Sequence, residues 1–385
     1  AIKRIKEAAN SDENVKFYYP MIILRSKKGW TGPKEVDGKV IEGNFRSHQV
    51  PLAIADDKDI KRLEKWLKSY KPEELFDKNG ALIPELRDFA PKGSLRMSAN
   101  PITNGGILRK DLILPDFRNY AVTLTAPGSV KEQDMLVLSS YIRDIFKYNE
   151  TNKNFRLFGP DESMSNRLYE IFNATNRDWQ LERKDTDEYL SRDGRIMDSY
   201  LSEHLCEGML EGYLLTGRHG VFVSYEAFIR IVDSMASQHA KWLKLCKEIS
   251  WRRSISSLNF ILTSNVWQQD HNGYTHQDPG FLDHMANKKA DVVRLYLPPD
   301  SNTLLSVFDH CIKSRDYVNV IIASKQPSYQ WLSMEEAVIH CTKGISIWPW
   351  ASNDFNDEPD IVIATCGDTP TLEGLGAVSI LREEL

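Results

Sequence analysis

Short apolar runs alternate with amphipathic segments from about residue 130 onward. The strand-like runs are "NFRLFG", "SLNFILTSNV", "DVVRLYLP" and "YVNVIIAS". The segments between them have helical spacing, as in "VKEQDMLVLSSYIRDIFKYN", "MSNRLYEIFNA", "SYEAFIRIVDSMASQHAKWLKLC" and "TLLSVFDHCIKS". Continuous apolar strands are buried on both faces, and strands separated by helices pair in parallel. The pattern therefore predicts an α/β fold, a parallel sheet flanked by helices.

Polar side chains gather in the loops that follow these strands. Ligands of parallel sheets bind beyond the carboxyl ends of the strands, so a functional site is expected there. Four loops stand out, namely "GPDESMSN", "WQQDHNGYTHQDPG", "PPDSN" and "KQPSY".

The length of the chain, 385 residues, exceeds what one compact core accommodates. A stretch rich in Pro, Gly and Asn, "APKGSLRMSANPITNGGILRK", indicates a linker, and a last strand-like run, "PDIVIATCG", precedes a helical pattern. We expect three parts, residues 1–115, 116–335 and 336–385. The first residue is Ala1, and the last predicted unit stops soon after it begins, so we expect a piece of a longer protein.

The composition narrows the class of partner. A net charge of −5 and 41% hydrophobic residues argue against a nucleic-acid binder and against a disordered chain, although one short basic run, "RSKKGWTGPKEV", is present. Five widely spaced cysteines without a CxxC pair indicate a reducing, cytoplasmic setting. The sequence contains no run of 18 apolar residues, so it predicts no membrane-spanning helix. A small-molecule partner is expected.

The loop "GPDESMSNRL" permits two interpretations. Ser163, Ser165 and Asn166 would lie at the start of the predicted helix, where backbone N–H groups favour an anion, and Arg167 could complete a phosphate site. Alternatively, Asp161 or Ser163 only caps the helix. Spacing alone favours the cap.

In "SEHLCEGMLEGYLL", Glu203, Glu207 and Glu211 recur every four residues. Such a stripe is usually a solvated helix face, and periodicity favours that interpretation. Gly208 and Gly212 weaken it, because a smooth strip permits close approach by another group.

The loop "QQDHNGYTHQDPG" contains His271 and His276, five residues apart. This spacing matches no strong zinc motif, so the sequence does not support a metal site. Asn272 and Gly273 predict a turn, which leaves the two histidines unexplained. His48, in "RSHQVPL", is a lone histidine that by itself would be structural.

Five stretches together resemble one family. "RSKKGWTGPKEVDGK", "LFGPDESMSNRL", "SEHLCEGMLEGYLLTGRHGVFVSYEAF", "VWQQDHNGYTHQDPG" and "ASKQP" are similar, in the same order, to the phosphoketolases of xylulose 5-phosphate and fructose 6-phosphate. These are thiamine-diphosphate enzymes related to transketolase. The three expected parts would then be the end of the diphosphate-binding domain with a linker, the pyrimidine-binding domain, and the start of the C-terminal domain.

The resemblance implies roles for individual residues. Glu203 would hydrogen-bond the pyrimidine ring of thiamine diphosphate, Tyr225 and Phe228 would pack against that ring, and Asp161 would also lie at the cofactor. The histidines at 48, 271 and 276 would handle substrate protons. The groups that would hold sugar phosphate or inorganic phosphate are Ser165, Arg167, Gln269, Asn272 and Lys325.

The implied reaction is phosphate-dependent cleavage of xylulose 5-phosphate or fructose 6-phosphate. It passes through a two-carbon intermediate on the cofactor to acetyl phosphate and glyceraldehyde 3-phosphate or erythrose 4-phosphate. Family members hold Mg²⁺ and the diphosphate with a Gly-Asp-Gly motif that is missing here, and their active site forms between two subunits of a homodimer. We therefore expect this chain alone to be inactive. The alternatives are transketolase-like two-carbon transfer and a non-catalytic dimerisation module.

Overall fold

The computed structural model describes residues 1–11, 20–48, 52–178, 184–198, 201–268, 273–353 and 358–384. The chain divides into two compact units, residues 1–92 and residues 93–385. The expected division into three parts remains a prediction. None of the helices in the described ranges is both long and apolar enough to span a membrane.

The first unit consists of short elements. They are helix α1 (Ile2–Ala9), the antiparallel pair β1 (Glu35–Val36) and β2 (Lys39–Val40), and helices α2 (Asp57–Lys68), α3 (Pro72–Leu75) and α4 (Pro84–Arg87). The Asp56 side chain caps α2 by accepting the Asp59 N–H. A 3₁₀ helix, Phe45–His48, also lies in this unit.

The second unit contains the parallel sheet. Its elements are β3 (Lys131–Gln133), α5 (Asp134–Tyr148), β4 (Phe155–Gly159), β5 (Ile196–Asp198), α6 (Glu203–Leu215), β6 (His219–Tyr225), α7 (Asp233–Lys247), β7 (Leu258–Thr263), α8 (Gly280–Ala286), β8 (Val293–Tyr296), α9 (Ser301–Lys313), β9 (Val318–Ile322), β10 (Pro327–Tyr329), α10 (Met334–Lys343) and α11 (Asp368–Glu384). Six strands pair in parallel in the order β5-β4-β6-β7-β9-β8. The predicted fold class is confirmed.

Successive side chains of the central strands enter two separate cores. On β7, Ile261 packs in the core that includes α5 and α9, whereas Phe260 and Leu262 pack in the core that includes α6, α7 and α8. All three side chains are fully buried. Burial on both faces explains why this strand shows no polar alternation in the sequence.

Three expectations for secondary structure are wrong. Residues "HGVFVSY" form strand β6, whereas the sequence pattern had placed "SY" in the following helix, which begins only at Asp233. Turns replace the expected helix after β4, followed by a 3₁₀ helix, Tyr169–Asn173. The run "PDIVIATCG" is not a strand within the described residues, and most of it is exposed.

Two isoleucines of the second unit provide a matched test of this core. Ile261→Ala should lower the free energy of unfolding by about 2–5 kcal/mol, because it leaves a cavity between β7 and its neighbours. Ile347→Ala should change it by no more than about 0.5 kcal/mol, because that side chain is 82% exposed. Urea unfolding followed by circular dichroism would measure both. Equal losses would contradict the described core.

Candidate functional site

The parallel strands bring several loops to one edge of the sheet. The chain leaves β4, β6, β7 and β9 in the same direction, since these strands are paired in parallel register. Buried polar side chains concentrate in the residues that follow these strands, as in Glu162, Glu226, Asn265 and Lys325. Polar groups are buried at a cost unless they have partners, so their concentration marks this edge as the candidate site.

Glu203 lies at this edge as the first residue of α6, and its side chain is buried. The Ser202 side chain caps the helix by accepting the Leu205 N–H. Glu162, in the loop after β4, lies close enough to interact electrostatically with Glu203. Burial raises the pKa of Glu162 to about 8; the charge of Glu203 adds to the rise and Lys325 opposes it. Glu162 can therefore donate a proton or a hydrogen bond at neutral pH.

Tyr225 and Phe228 form an aromatic shelf beside these carboxyl groups. Tyr225 ends β6, and its ring stacks on that of Phe228 with centroids 5.8 Å apart. The ring of His276 meets Phe228 edge-on at 4.8 Å. The Lys325 Nζ lies 4.0 Å from the centroid of the Tyr225 ring. The structure thus brings together four of the predicted site residues around this shelf.

The loop after β4 adopts a different shape from the one that the sequence predicted. Asp161 and Arg167 both have φ +63°, in the left-handed region that helices avoid. The Ser165 hydroxyl donates to the Glu162 carbonyl oxygen at 3.0 Å, and the Arg167 Nη1 donates to the Tyr169 hydroxyl at 3.0 Å. No helix begins at Ser163, so neither an anion site at a helix N-terminus nor a helix cap forms there.

The sequence patterns did not predict two further carboxyl groups at this edge, those of Asp198 and Glu226. Burial raises the pKa of Asp198, at the end of β5, to about 6; Asp161 adds to the rise and Arg177 opposes it. The Arg177 Nη1 lies 3.6 Å from Asp198 and 3.7 Å from Asp161. Burial also raises the pKa of Glu226 to about 7, against the effect of the Val266 N–H, which donates to Glu226 at 2.7 Å. Only the order of the strands could have indicated these groups.

Four other predicted site residues belong to the first unit or fall outside the described residues. His48 ends the 3₁₀ helix Phe45–His48 of the first unit. Gln269, His271 and Asn272 fall outside the described residues.

The carboxylate stripe of α6 is not a solvated face, contrary to the interpretation that periodicity favours. Glu207 is fully buried, and neither of its carboxyl oxygens has a hydrogen-bond partner within the described ranges. Burial raises its pKa to about 9, with a smaller contribution from Glu211. Glu211 in turn lies 3.4 Å from the Nδ1 of His239 on α7. The helix therefore buries acidic side chains, and one of them, Glu211, lies beside α7.

Several buried polar atoms at the edge lack partners in the part of the chain that the structure describes. They are the Oε2 of Glu162, the Nδ2 of Asn166 and the Oγ of Ser264. Such atoms are rare in folded proteins, and a bound water, ion or polar ligand could supply the missing hydrogen bonds. Among the described residues, no group of three or more His, Cys, Asp or Glu side chains is arranged to hold a metal ion.

Models of one protein family match three successive parts of the chain. A family model described as D-xylulose 5-phosphate/D-fructose 6-phosphate phosphoketolase matches residues 136–314. Models of the N-terminal and C-terminal domains of the same family match residues 1–108 and 325–385. The three matches follow one another without overlap.

Curated relatives are similar over nearly the whole chain. A probable phosphoketolase of Clostridium acetobutylicum is 60% identical over 383 residues, which cover 99% of this chain and 48% of the relative. A probable phosphoketolase of Brucella suis is 58% identical, with 100% of this chain and 49% of the relative covered. The chain therefore spans about half the length of the curated relatives it matches.

Solved structures show a partial likeness. A Pichia stipitis transketolase in complex with sedoheptulose 7-phosphate has a TM-score of 0.45 and 15% identity, covering 73% of this chain and 35% of that one. A Leishmania mexicana transketolase has a TM-score of 0.42 and 14% identity, covering 75% of this chain and 38% of that one.

The buried Glu207 predicts how stability depends on pH. The pKa of Glu207 is about 9 in the folded chain, above the ordinary value of about 4.3. Its contribution to the free energy of unfolding is therefore complete below pH 4 and is lost as the pH rises toward 9. Glu207→Gln removes this loss of stability, because the amide group does not ionise. The variant's advantage in unfolding free energy should grow from pH 5 to pH 8 by at most about 1.4 kcal/mol per unit.

Urea unfolding at several pH values would measure this difference. Glu373→Gln, at an exposed position of α11, serves as the control and should follow the parent at every pH. Parallel stability profiles for Glu207→Gln and the parent would contradict the burial of an uncompensated carboxyl.

Proposed function

Because the chain belongs to the D-xylulose 5-phosphate/D-fructose 6-phosphate phosphoketolase family, we propose that the whole protein is a phosphoketolase. It cleaves xylulose 5-phosphate with inorganic phosphate to acetyl phosphate, glyceraldehyde 3-phosphate and water. Fructose 6-phosphate is a second substrate, which gives erythrose 4-phosphate. The observation that carries the proposal is the meeting of Glu162, Glu203 and Lys325 beside the aromatic shelf.

The residues at this edge fit the pyrimidine end of thiamine diphosphate. A planar heterocycle needs a flat apolar surface and a buried group that hydrogen-bonds its ring nitrogen. Tyr225 and Phe228 offer the surface, and Glu203 offers the carboxyl group. The Oε2 of Glu162, which has no hydrogen-bond partner among the described residues, lies close by. When bound, thiamine diphosphate would supply the nucleophilic carbon and the electron sink that cleavage of the C2–C3 bond requires.

The chain's own residues then position the reactants. Glu203 orients the cofactor ring by holding a proton at the ring nitrogen, and the aromatic shelf keeps that ring in register. Asp161 lies on the same loop as Glu162 and contributes to the cofactor side of the site. His276, edge-on to Phe228, accepts or returns protons of substrate hydroxyl groups. The resemblance to the family assigns the same type of role to His48 and His271.

Phosphate binding falls to the cationic and hydroxyl groups. Lys325 is only 2% exposed. A buried cation attracts an anion more strongly than a cation in water does. Arg167 and Ser165 come from the loop after β4, and a guanidinium group suits the planar geometry of two phosphate oxygens. The resemblance to the family adds Gln269 and Asn272, which fall outside the described residues, as further phosphate-binding groups.

The active site lies between two subunits of a homodimer in the cytoplasm. Mg²⁺ and the diphosphate bind residues that this chain does not supply, since no Gly-Asp-Gly occurs in it. The chain alone is therefore inactive under this proposal.

Product analysis of the full-length protein tests the proposed reaction. With thiamine diphosphate, Mg²⁺, xylulose 5-phosphate and inorganic phosphate, acetyl phosphate should form without an aldehyde acceptor and should be trapped by hydroxylamine. Transketolase-like transfer would instead require ribose 5-phosphate and would give no hydroxamate. If neither acetyl phosphate nor a product of two-carbon transfer to ribose 5-phosphate forms, the result would favour a non-catalytic module.

The role of Glu203 is separable from turnover. In the full-length protein, Glu203→Gln should slow exchange of the C2 proton of bound thiamine diphosphate by about 100-fold or more, because an amide cannot transfer the proton that a carboxyl group transfers. Exchange into deuterium oxide, followed by NMR, measures this rate. Glu373→Gln should exchange like the parent, and normal exchange in Glu203→Gln would exclude the assigned role.

A further inference from the structure

The start of α11 reaches the edge of the sheet that carries the candidate site. The Gly367 N–H donates to the carbonyl oxygen of Leu297, just beyond β8, at 2.9 Å. Gly367 has φ +81°, and a Cβ added to it would lie 2.9 Å from the Trp267 Cζ3. Only glycine therefore permits this close approach without strain. The contact places the next residue, Asp368, beside the chain that leaves β7.

Asp368 is joined there to Gln268. The side-chain amide of Gln268 donates to a carboxyl oxygen of Asp368 and, at 3.0 Å, to the hydroxyl of Ser324. The backbone N–H of Gln268 lies 3.0 Å from the carbonyl oxygen and 3.2 Å from the side-chain oxygen of Asn265. Asp368, Ser324 and Asn265 are 6%, 2% and 1% exposed, so water competes little for these hydrogen bonds.

Two of these residues directly precede predicted substrate-binding groups. Gln268 is followed by residues 269–272, which contain Gln269, His271 and Asn272. Ser324 is followed by Lys325, whose Nζ lies over the Tyr225 ring. A shift of Gln268 would therefore move the points at which residues 269–272 and the segment with Lys325 begin.

We propose that Asp368 is a positioning residue of the active site: it holds Gln268, and through Gln268 it holds Ser324, so that α11 sets the place of both substrate-binding loops. This inference rests on the proposed function, which identifies those loops. Asp368 would act on these loops through the hydrogen bond that it accepts from Gln268. Its contribution is to fix where the chain leaves β7 and β9.

Substitutions in the full-length enzyme test this role. Asp368→Ala should lower kcat about 10-fold and raise KM for inorganic phosphate, because Lys325 and residues 269–272 lose a common support. Asp368→Asn should stay within about 3-fold of the parent, since its amide oxygen still accepts from Gln268. Asp360→Ala, at an exposed position of the same segment, is the matched control and should behave like the parent.

A double-mutant cycle separates coupling from general damage. Gln268→Ala should reproduce the loss caused by Asp368→Ala, and the double variant should lose no more than either single variant. Additive losses, or equal activity of Asp368→Ala and Asp360→Ala, would overturn the proposal. If Asp368→Ala does not fold, Gln268→Ala compared with Asp360→Ala decides, because it removes the same hydrogen bond from the other side.

Hydrogen exchange keeps this inference apart from the proposed function. Peptides covering residues 264–268 and 323–326 should exchange faster in Asp368→Ala than in Asp360→Ala. Should the parent form no acetyl phosphate, the proposed function fails, yet the exchange rates still decide whether Asp368 holds the two loops. Unchanged exchange at both peptides would overturn the positioning role whatever the activity.

Discussion

Parallel pairing of buried strands is the constraint on which the rest of the second unit depends. The side chains of β6, β7 and β9 are all buried, so these strands contribute to hydrophobic cores on both faces of the sheet. Parallel strands also end on the same side. The loops that follow these strands therefore converge at one edge, where Glu162, Glu226, Asn265 and Lys325 are buried.

That convergence concentrates carboxyl groups in a low-dielectric setting. Burial raises the pKa values of Glu162, Asp198 and Glu226 to about 8, 6 and 7, respectively, so groups of one chemical type titrate across the neutral range. The main cause is the loss of hydration, with neighbouring charges as smaller effects. An edge with several carboxyl groups in different protonation states is suited to moving protons at neutral pH.

Prediction from the sequence succeeded where burial left a direct trace. The apolar runs identified β4, β7, β8 and β9, and with them the loops that follow. It failed at β6, because the residues of this strand continue without a break into a segment with helical spacing. It also failed for Glu207, since a four-residue repeat reveals which side chains share a helix face but not whether other elements cover that face. Asp368 could not be connected with Gln268, from which it is separated by 100 positions along the chain.

The sequence by itself determined the α/β class and the positions of the loops that follow the strands, and its resemblance to a family predicted roles for Glu203, Tyr225, Phe228 and Lys325. These follow from local composition, because burial, turns and motifs are recorded in consecutive residues. Only the tertiary structure decided that Glu162 adjoins Glu203, that Lys325 lies over Tyr225, and that Asp368 reaches the end of β7. Such contacts depend on the order of the strands in the sheet, and strand order arises from the packing of distant segments, which consecutive residues do not record.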